Sequence, residues 1–531
     1  MKRSLDRYLS PEARAAWQSR QNGEAPKWQE NECDYVVVGA GSSGCVIANR
    51  LSARKDPSHS VLLLEAGGSP KQRSDVKDFL CSRNLQQSDL DWQLTTQKEP
   101  GLGGRRVAWP RGRGLGGSSL LNYMIYMRGS AALYDSWAEL TDDPRWSYSQ
   151  VLELFKRSEK NLAFGGSQHG TSGELIVDNC PVTSREQEFF GAAAEQAGFK
   201  NDSRFDFNDG SHSRIGTAGF YQHTVKDCGR WSAFDAFLRP AMGRKNLRIM
   251  AHAAVTKVCV EQERAVAVEF LLDDGTWQRV LARKEIVLCA GAIDSPRMLK
   301  LSGIGPAEEL HQLGIDVTAD LPAVGNNLSD HPVVQMVYPA SSAIANGDLP
   351  CGGLFLASPE AELDANLQFH PYSFQAKQRN FFCFGVTLVQ PRSIGSLELV
   401  DSKAFSPARI RANYLSEPAD ILALRHGVEF AYELASTKSM EGLIGSEAPL
   451  HFDGRALDKS IRASAGTLFH PSGSCRMGSG RDCVVDSEMR VQGVKGLRVC
   501  DASVFPSPVD GNTNASCILV AERLSDLLLE R

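Results

Sequence analysis

The sequence predicts an α/β and α+β protein: a Rossmann-like domain of parallel strands and helices, with an antiparallel-sheet domain inserted into it. Three observations carry this prediction. A strand, a glycine-rich turn, a helix and a second strand follow one another in residues 34–67. Residues 332–468 alternate polar and apolar side chains, as antiparallel strands do. Residues 497–531 then return to a strand, a loop and a helix, so the middle region reads as an insertion.

The composition describes an ordinary globular protein with more than one domain. The chain has 531 residues, of which 42% are hydrophobic and 23% charged. A net charge of −5 gives no basic surface, so nucleic acid is not an expected partner. No long apolar run predicts a transmembrane segment. Residues 1–21 lack the apolar core of a signal peptide, which predicts a cytoplasmic protein and leaves peripheral membrane association open.

The cysteines favour a reduced protein without a metal site. There are 13 of them, scattered, and none forms a Cys-x-x-Cys pair. An odd number without regular spacing favours free buried thiols in a reducing compartment over a disulfide framework. No ligand spacing indicates zinc, so no metal is expected.

The first strand–helix–strand unit has the features of a dinucleotide site. Gly39 permits the tight turn out of the first strand, Gly41 lets the backbone approach a pyrophosphate, and Gly44 lets the helix pack closely. The helix, expected over residues 43–53, presents unpaired N–H groups to the phosphates. Glu65 ends the second strand, 61–64, about 20 residues after Gly44, where a carboxylate accepts hydrogen bonds from a ribose diol. This context favours a dinucleotide site over a turn that is only rich in glycine.

A second glycine-rich loop precedes a buried segment. Residues 112–119 contain four glycines and two serines and run directly into the apolar and aromatic stretch 120–127. Such a loop can surround a ligand with backbone N–H groups, whereas the alternative is a flexible connector.

The remaining elements are placed by periodicity and by turn residues. Ser295 and Pro296 are expected to be the N-cap and first residue of a helix. Strands are expected within residues 246–261, 265–272, 285–289, 396–400, 408–412 and 497–500, and helices over 11–20 (on the surface), 420–436 and 515–530.

Six motifs, in order, resemble the glucose–methanol–choline (GMC) family of flavin oxidoreductases. They are the opening unit of residues 34–67, PRGRGLGGSSLLN at 110–122, GAIDSPRMLKLSGIGP at 291–306, LPAVGNNLSDH at 321–331, HPSGSCRMG at 470–478, and VVDSEMRVQGVKGLRVCDASVFPSPVDGNTN at 484–514. The resemblance implies the GMC fold. It divides the chain into an extension, 1–32, a discontinuous FAD-binding domain, 33–160, 210–331 and 469–531, and a substrate-binding domain, 161–209 and 332–468.

The resemblance implies FAD as the cofactor. Glu65 matches the ribose ligand, Val255 the adenine contact, and Asp501 with Ala502 the pyrophosphate and ribityl contacts. Some relatives bind FAD covalently through a His before the second glycine loop; Trp109, Arg111 and Arg113 stand there, so non-covalent FAD is expected. The matched positions are Gly39, Gly41, Ser43, Gly44, Glu65, Ala66, Gly116, Gly117, Ser118, Asn122, Tyr123, Met124, Ile125, Val255, Asp501, Ala502, Asn512 and Thr513.

The chemistry of alcohol oxidation requires a base near neutral pKa, and histidine is the natural choice. His470 matches the family's catalytic His, and Asn512 matches the partner position, where an amide would orient the substrate oxygen. His331 is a second candidate, with a structural role more common in the family. The C-terminal helix is expected to stabilise the negative charge of reduced flavin.

The resemblance implies FAD-dependent oxidation of a small-molecule alcohol, primary, aryl or a polyol or sugar such as sorbose, to the aldehyde or ketone, with hydride transfer to flavin N5. The electron acceptor is a dye or quinone, or oxygen; Leu468 beside His470 favours a dehydrogenase over an oxygen-using oxidase. A hydroxynitrile-lyase-type protein and a flavin-binding protein without turnover remain alternatives. Phe381, Phe382 and Phe384 are expected in a sheet core rather than in a pocket.

Overall fold

A computed structural model of the chain describes residues 4–53, 59–78, 82–179, 185–340, 350–444 and 454–529. Its first sheet is formed by the N-terminal unit and by segments far along the chain. Trp28–Val38 lies between Val61–Leu64 and Trp277–Leu288, in parallel with both. From one edge to the other, the strands of this sheet are Leu247–Met250, Val61–Leu64, Trp28–Val38, Trp277–Leu288, Arg264–Leu272 and Ala253–Glu261. A seventh strand, Leu497–Val499, also pairs with Trp277–Leu288.

The second sheet is mostly antiparallel and carries helices on one side. Its strands, in order, are Gly466–Thr467, Pro332–Pro339, Arg379–Leu388, Leu367–Ala376, Gly352–Leu356, Thr217–Phe220 and Lys200–Asn201. The helix Pro418–Ala435 buries an apolar face against this sheet. Because Thr217–Phe220 joins it, the chain segment 210–331 contributes to both sheets; the domain boundaries themselves stay a prediction.

Smaller elements complete the fold. A four-stranded sheet contains Ile125–Tyr126, Gln222–His223, Leu175–Asn179 and Glu159–Asn161. Two-stranded pairs are Leu94–Thr95 with Ala108–Trp109, Val225–Lys226 with Gly229–Arg230, Ile304–Gly305 with Ala319–Asp320, and Ser396–Glu398 with Arg409–Arg411. The other α-helices of the described residues are Pro11–Gln21, Ser42–Ser52, Ser74–Lys77, Ser82–Leu85, Ala131–Thr141, Tyr148–Ser158, Arg185–Gln196, Arg239–Ala241, Gly291–Leu301, Ala307–Gln312, Lys438–Ile444, Gly454–Ser464 and Asn514–Leu529.

Most predicted elements are confirmed within two residues of their ends, and four details differ. The strand expected over 285–289 begins at Trp277, eight residues earlier. The first strand begins at Trp28, because its exposed part pairs with the start of Trp277–Leu288. The N-terminal helix is not merely a surface helix, since Trp17 packs on Phe405 with ring centroids 4.9 Å apart. Among the described cysteines ten are free, as expected, but Cys351 is in a disulfide.

The predicted cap at Ser295 was wrong. The helix begins at Gly291, and the Ser295 hydroxyl accepts a hydrogen bond from the N–H of Ala290 and donates one to Asp501. Pro296 therefore lies inside the helix, where it has no N–H to give to the carbonyl of Ala292. The hydroxyl of Ser474 donates to that carbonyl instead, which makes the proline tolerable. No helix in the part of the chain that the structure describes is long and apolar enough to cross a membrane.

A buried ion-pair cluster supports the small sheet. Arg128 donates to Glu159 at 2.6 Å, and both side chains are fully buried. His169 Nδ1 lies 2.7 Å from Glu159, and its Nε2 lies 2.6 Å from Asp206. Burial opposes the charge on Glu159, but the positive charges of Arg128 and His169 outweigh it and lower its pKa to about 2. Glu159 is therefore a carboxylate that holds two cationic partners together.

We expect Glu159→Gln to lower the free energy of unfolding by about 3–5 kcal/mol, because it leaves Arg128 buried without a counter-charge. The contribution of the carboxylate is present above its unfolded pKa, near 4.5, and is lost as pH falls towards about 2. Urea unfolding at several pH values measures it. Glu153→Gln, at an exposed pair with Lys156, is the control and should cost less than about 1 kcal/mol. Equal losses in the two variants would contradict this assignment.

Candidate functional site

A cavity of about 500 Å³ lies where the two sheets meet. Its walls come from the first glycine turn, the second glycine loop, the antiparallel sheet and the loop before the C-terminal helix. Fifteen of the predicted site positions, and the catalytic candidate His470, line it. They are Gly39, Gly41, Ser43, Glu65, Ala66, Gly117, Ser118, Asn122, Tyr123, Met124, Ile125, Val255, Ala502, Asn512 and Thr513.

The first glycine turn has no room for side chains at two of its positions. Gly39 has a φ of +97°, and a Cβ there would lie 2.5 Å from the carbonyl oxygen of Cys289. A Cβ on Gly44 would lie 1.9 Å from the carbonyl oxygen of Gly39. Gly44 does not line the cavity; it lets the helix start directly behind the turn, as its spacing predicts.

The second glycine loop packs against the first. Gly117 has a φ of +53°, and a Cβ on it would lie 2.6 Å from the Cα of Gly41. The N–H of Gly116 donates to the carbonyl of Ala40 at 2.7 Å, so Gly116 joins the loops from behind the cavity wall. Together the loops form a backbone surface with few side chains, which suits close approach of a pyrophosphate.

Glu65 ties the two loops together. One carboxylate oxygen accepts from the N–H of Ala40 at 2.9 Å; the other accepts from Gly67 at 2.9 Å and from Gly114 at 3.0 Å. Burial raises the pKa of this carboxyl group, although the three N–H donors oppose the shift. The side chain also lines the cavity, so it can both organise the loops and accept from a ribose hydroxyl.

Two helix N-termini meet at the cavity. The hydroxyl of Ser42 donates to Asn514 Oδ1 at 2.6 Å, and that of Ser43 donates to the carbonyl of Cys517 at 2.8 Å. These bonds join the starts of Ser42–Ser52 and Asn514–Leu529. Their dipoles favour negative charge at this point. Asp501, also predicted, lies behind the wall, where it accepts from the N–H of Gly291 at 2.9 Å.

The backbone of His470 is fixed by a buried carboxylate. Asp330 accepts from the N–H of His470 at 2.7 Å, and it also accepts from the hydroxyls of Tyr414 and Thr467. Burial raises the pKa of Asp330. Phe469, just before His470, has a φ of +68°, and its carbonyl accepts from Arg111. A strained backbone held by several partners indicates that the position of the His470 ring matters.

The ring of His470 lies between two polar partners. Its Nδ1 is 2.9 Å from Nδ1 of His331, and its Nε2 is 3.5 Å from Nδ2 of Asn512. Burial, together with the positive charge of Arg111, lowers the pKa of His470 well below 6.5. Burial likewise lowers the pKa of His331 to about 4. Both rings are therefore neutral near pH 7.

The residues present fit a flavin dinucleotide. The two stacked glycine loops leave a backbone cradle, two helices start at its edge, and Oδ1 of Asn512 is buried without a partner in the described residues. A buried amide oxygen without a donor is costly unless a ligand supplies one. Trp109, where some relatives carry the covalent His, is buried and donates to the Tyr414 hydroxyl at 2.8 Å.

The cavity residues that were not anticipated include Ser42, Leu5 and His370. Ser42 flanks a predicted position, and its bond to Asn514, a residue expected to support the flavin or the loop, becomes evident once the two helices are seen to meet. Leu5 lines the cavity because its N–H donates to the carbonyl of Phe405 at 2.9 Å, a contact with no local signal. His370 lies within an ordinary strand pattern. Phe382 and Phe384 are in the core, as expected. Phe381 is not: it is half-buried and stacks on Phe374, with ring centroids 5.4 Å apart.

Comparisons with known proteins identify the family of this chain. Models of the GMC oxidoreductase family match residues 33–333 and 391–521. An uncharacterized GMC-type oxidoreductase of Mycobacterium bovis is 36% identical over 94% of this chain and 99% of its own. An alcohol dehydrogenase [acceptor] of Pseudomonas putida is 35% identical and covers 94% of this chain and 96% of its own. An oxygen-dependent choline dehydrogenase of Pectobacterium carotovorum is 34% identical and covers 94% of this chain and 95% of its own.

Solved structures show the same fold. The crystal structure of pyridoxine 4-oxidase from Mesorbium loti superposes with a TM-score of 0.87 at 29% identity, covering 94% of this chain and 100% of that one. A formate oxidase of Aspergillus oryzae, in a study of its FAD modification, has a TM-score of 0.85 at 23% identity, covering 95% and 99%. The chain belongs to the GMC oxidoreductases and is an FAD-dependent enzyme of that family.

Proposed function

We propose that the protein oxidises a small-molecule alcohol to the aldehyde or ketone, with His470 as the base. The observation that carries this proposal is the buried, neutral His470 ring with Nε2 beside Asn512 at the cavity. Bound FAD supplies the acceptor for the hydride. The alcohol dehydrogenase and choline dehydrogenase relatives support the substrate class.

A chain of hydrogen bonds supports the tautomer that a base needs. His331 has a hydrogen bond to the backbone of Val509, which favours a proton on its Nε2 and a lone pair on Nδ1. His470 then donates its Nδ1 proton to His331 across 2.9 Å. Its Nε2 is left as an acceptor at the cavity and can take the hydroxyl proton. His331 is a positioning residue in this scheme.

Asn512 orients the substrate oxygen. Its Nδ2 group lies 3.5 Å from Nε2 of His470, and its Oδ1 has no partner among the described residues. An amide there donates to the alkoxide that forms when His470 removes the proton, and so directs the C–H bond towards the cofactor. The apolar wall, which includes Leu468 and Val333, keeps water from the reacting carbon.

The pattern of residues also supports non-covalent FAD, because the single ring nitrogen of Trp109 is an indole N–H without a free lone pair, and it already donates to the Tyr414 hydroxyl. The electron acceptor is a dye or quinone in our proposal, with oxygen as the second candidate since oxidases share the fold.

Anaerobic reduction of the bound flavin tests the proposed function. The purified holoenzyme is mixed with primary alcohols, aryl alcohols and polyols while absorbance near ~450 nm is followed. We expect at least one class to bleach the flavin, with the aldehyde or ketone formed in equal amount. Cyanide release from a cyanohydrin without bleaching would instead identify a lyase. Bound FAD that neither bleaches nor supports cyanide release would overturn the proposal.

A further inference from the structure

One wall of the cavity is a face of the second sheet. His370, Tyr372 and Phe374 alternate along the strand Leu367–Ala376 and all line the cavity, as residues on one face of a strand do. In the neighbouring strand Gly385 stands opposite His370, and on its other side it pairs with Gln335. Gln335, Gly385 and His370 therefore form one row across three strands.

Gly385 leaves a hollow in the middle of this row. A Cβ built on it would lie 3.3 Å from the carbonyl oxygen of His370, 3.4 Å from its Cβ and 3.8 Å from the side chain of Val333. Glycine weakens the interior of a strand, and there it often marks a place where a ligand comes close to the backbone. The hollow opens on the cavity, since the cavity is lined by Gly385 and by its neighbours Val333, Gln335 and His370.

His370 is part of this wall, and one of its ring nitrogens has no hydrogen-bond partner in the described residues. The side chain is 3% exposed, and its Nε2 has no partner in the described residues. Nδ1 lies 3.3 Å from the Thr387 hydroxyl, and the ring has a hydrogen bond to the backbone of Gly385. Burial lowers the pKa of His370 to about 3, so the ring is neutral. A proton on Nδ1, beside the Thr387 hydroxyl that can accept it, leaves Nε2 as an acceptor.

The charges around the cavity disfavour a cationic substrate. Arg83 lines the cavity, with its guanidinium 5.1 Å from the centre of the Phe374 ring. Among the lining residues that the structure describes, the carboxylates are Glu65, which holds the glycine loops, and Asp294, which pairs with Arg297 at 2.6 Å. A substrate cation on the sheet wall would face Arg83 without a counter-charge.

We propose that His370 is a specificity residue, whose Nε2 accepts a hydrogen bond from a second hydroxyl group of an uncharged alcohol substrate lying in the hollow over Gly385. This rests on the proposed oxidation of an alcohol at His470, in the same cavity. The expected substrates are diols, polyols and hydroxylated aryl alcohols, and the site discriminates against their counterparts with one hydroxyl and against quaternary ammonium alcohols.

Matched substrate pairs test this. Butan-1-ol is compared with 1,2-, 1,3- and 1,4-butanediol, and benzyl alcohol with its three hydroxy derivatives, by anaerobic flavin reduction. Choline is compared with 3,3-dimethylbutan-1-ol, which has the same shape without the charge. We expect one dihydroxy compound to exceed its partner in kcat/KM by about 10- to 100-fold, the effect of one buried hydrogen bond. We expect 3,3-dimethylbutan-1-ol to have a higher kcat/KM than choline.

His370→Leu should remove the preference between the members of each pair, mainly through KM, and leave the FAD content and Tm unchanged. His212→Leu, at a side chain 66% exposed, is the matched control and should keep the preference. Binding is measured separately with pinacol, a diol that has no carbinol C–H, against 2,3-dimethylbutan-2-ol, by the change in the visible spectrum of bound flavin.

The outcomes separate the two proposals. If no alcohol bleaches the flavin, alcohol oxidation fails first. If alcohols bleach it and no dihydroxy compound is preferred, or if His370→Leu keeps the preference, the role of His370 is overturned. Preference for choline over its neutral counterpart would overturn the exclusion of cations.

Discussion

His470→Gln is expected to lower the rate of anaerobic flavin reduction by about 10²- to 10⁴-fold, the usual contribution of a general base. Glutamine fills a similar volume and retains a hydrogen-bonding group, but it cannot take the hydroxyl proton. Because Asp330 holds residue 470 through its backbone N–H, this contact survives the change. FAD content and Tm should therefore equal those of the unchanged protein. Stopped-flow absorbance with the best alcohol measures the rate.

The control for this result is His212→Gln, an exposed histidine outside the cavity, which should keep the full rate. A His470→Gln protein that reduces its flavin at more than a tenth of the normal rate, with FAD bound, would show that another group removes the proton. His331→Phe tests the tautomer: it should lower the rate less than His470→Gln, with KM nearly unchanged, since His331 acts only through His470.

The pH dependence of the reaction has a definite sign. Burial and neighbouring positive charge hold the pKa of His470 well below 6.5, so the ring stays unprotonated at neutral pH. The rate constant for flavin reduction should stay level from pH 8 down to about 6.5. It should fall only at more acid pH, as Nε2 gains a proton. A rate that falls tenfold between pH 8 and 7 would contradict the assignment of His470 as the base.

The local parts of the fold could be predicted because their signals lie within short stretches of sequence. The spacing of Gly39, Gly41 and Gly44 predicts a turn that only glycine can make, and the structure has that turn. The prediction that Ser295 caps a helix was wrong, because the local preference of serine and proline for a helix start was outweighed by a contact with a distant residue. Its hydroxyl bonds to Asp501, about 200 residues away, and the helix starts earlier.

The residues of the site also divide into those that local motifs predict and those that depend on distant contacts. His470 and Asn512 occur in motifs, and the structure brings them within 3.5 Å of one another at the cavity. His370 could not be found, because one histidine in an alternating strand has no distinguishing pattern. It becomes notable only when Gly385 is seen beside it and Nε2 is seen without a partner. Substrate specificity depends on such pairings across strands, which a single sequence does not reveal.

Gly117→Ala should weaken FAD binding by about 10- to 100-fold, the effect of one to three kcal/mol of overpacking. Its Cβ would lie 2.6 Å from the Cα of Gly41, and backbone on both sides prevents a side chain from moving aside. The two glycine loops must separate, and Glu65, which bonds to both, loses its fixed position. Equilibrium titration of apoprotein with FAD, followed by flavin fluorescence, gives the dissociation constant.

Gly103→Ala is the matched control, because it separates backbone strain from crowding. Gly103 has a φ of +65°, close to the +53° of Gly117, but a Cβ there has nothing within 4 Å. In both variants an alanine must adopt a left-handed backbone conformation, which costs about 1–2 kcal/mol. Only Gly117→Ala also pushes the two glycine loops apart. Gly103→Ala should lose only the Tm that corresponds to the left-handed alanine, Gly117→Ala should lose more, and only Gly117→Ala should lose FAD. Equal affinities in the two variants would mean that the contact between the loops does not form the phosphate cradle.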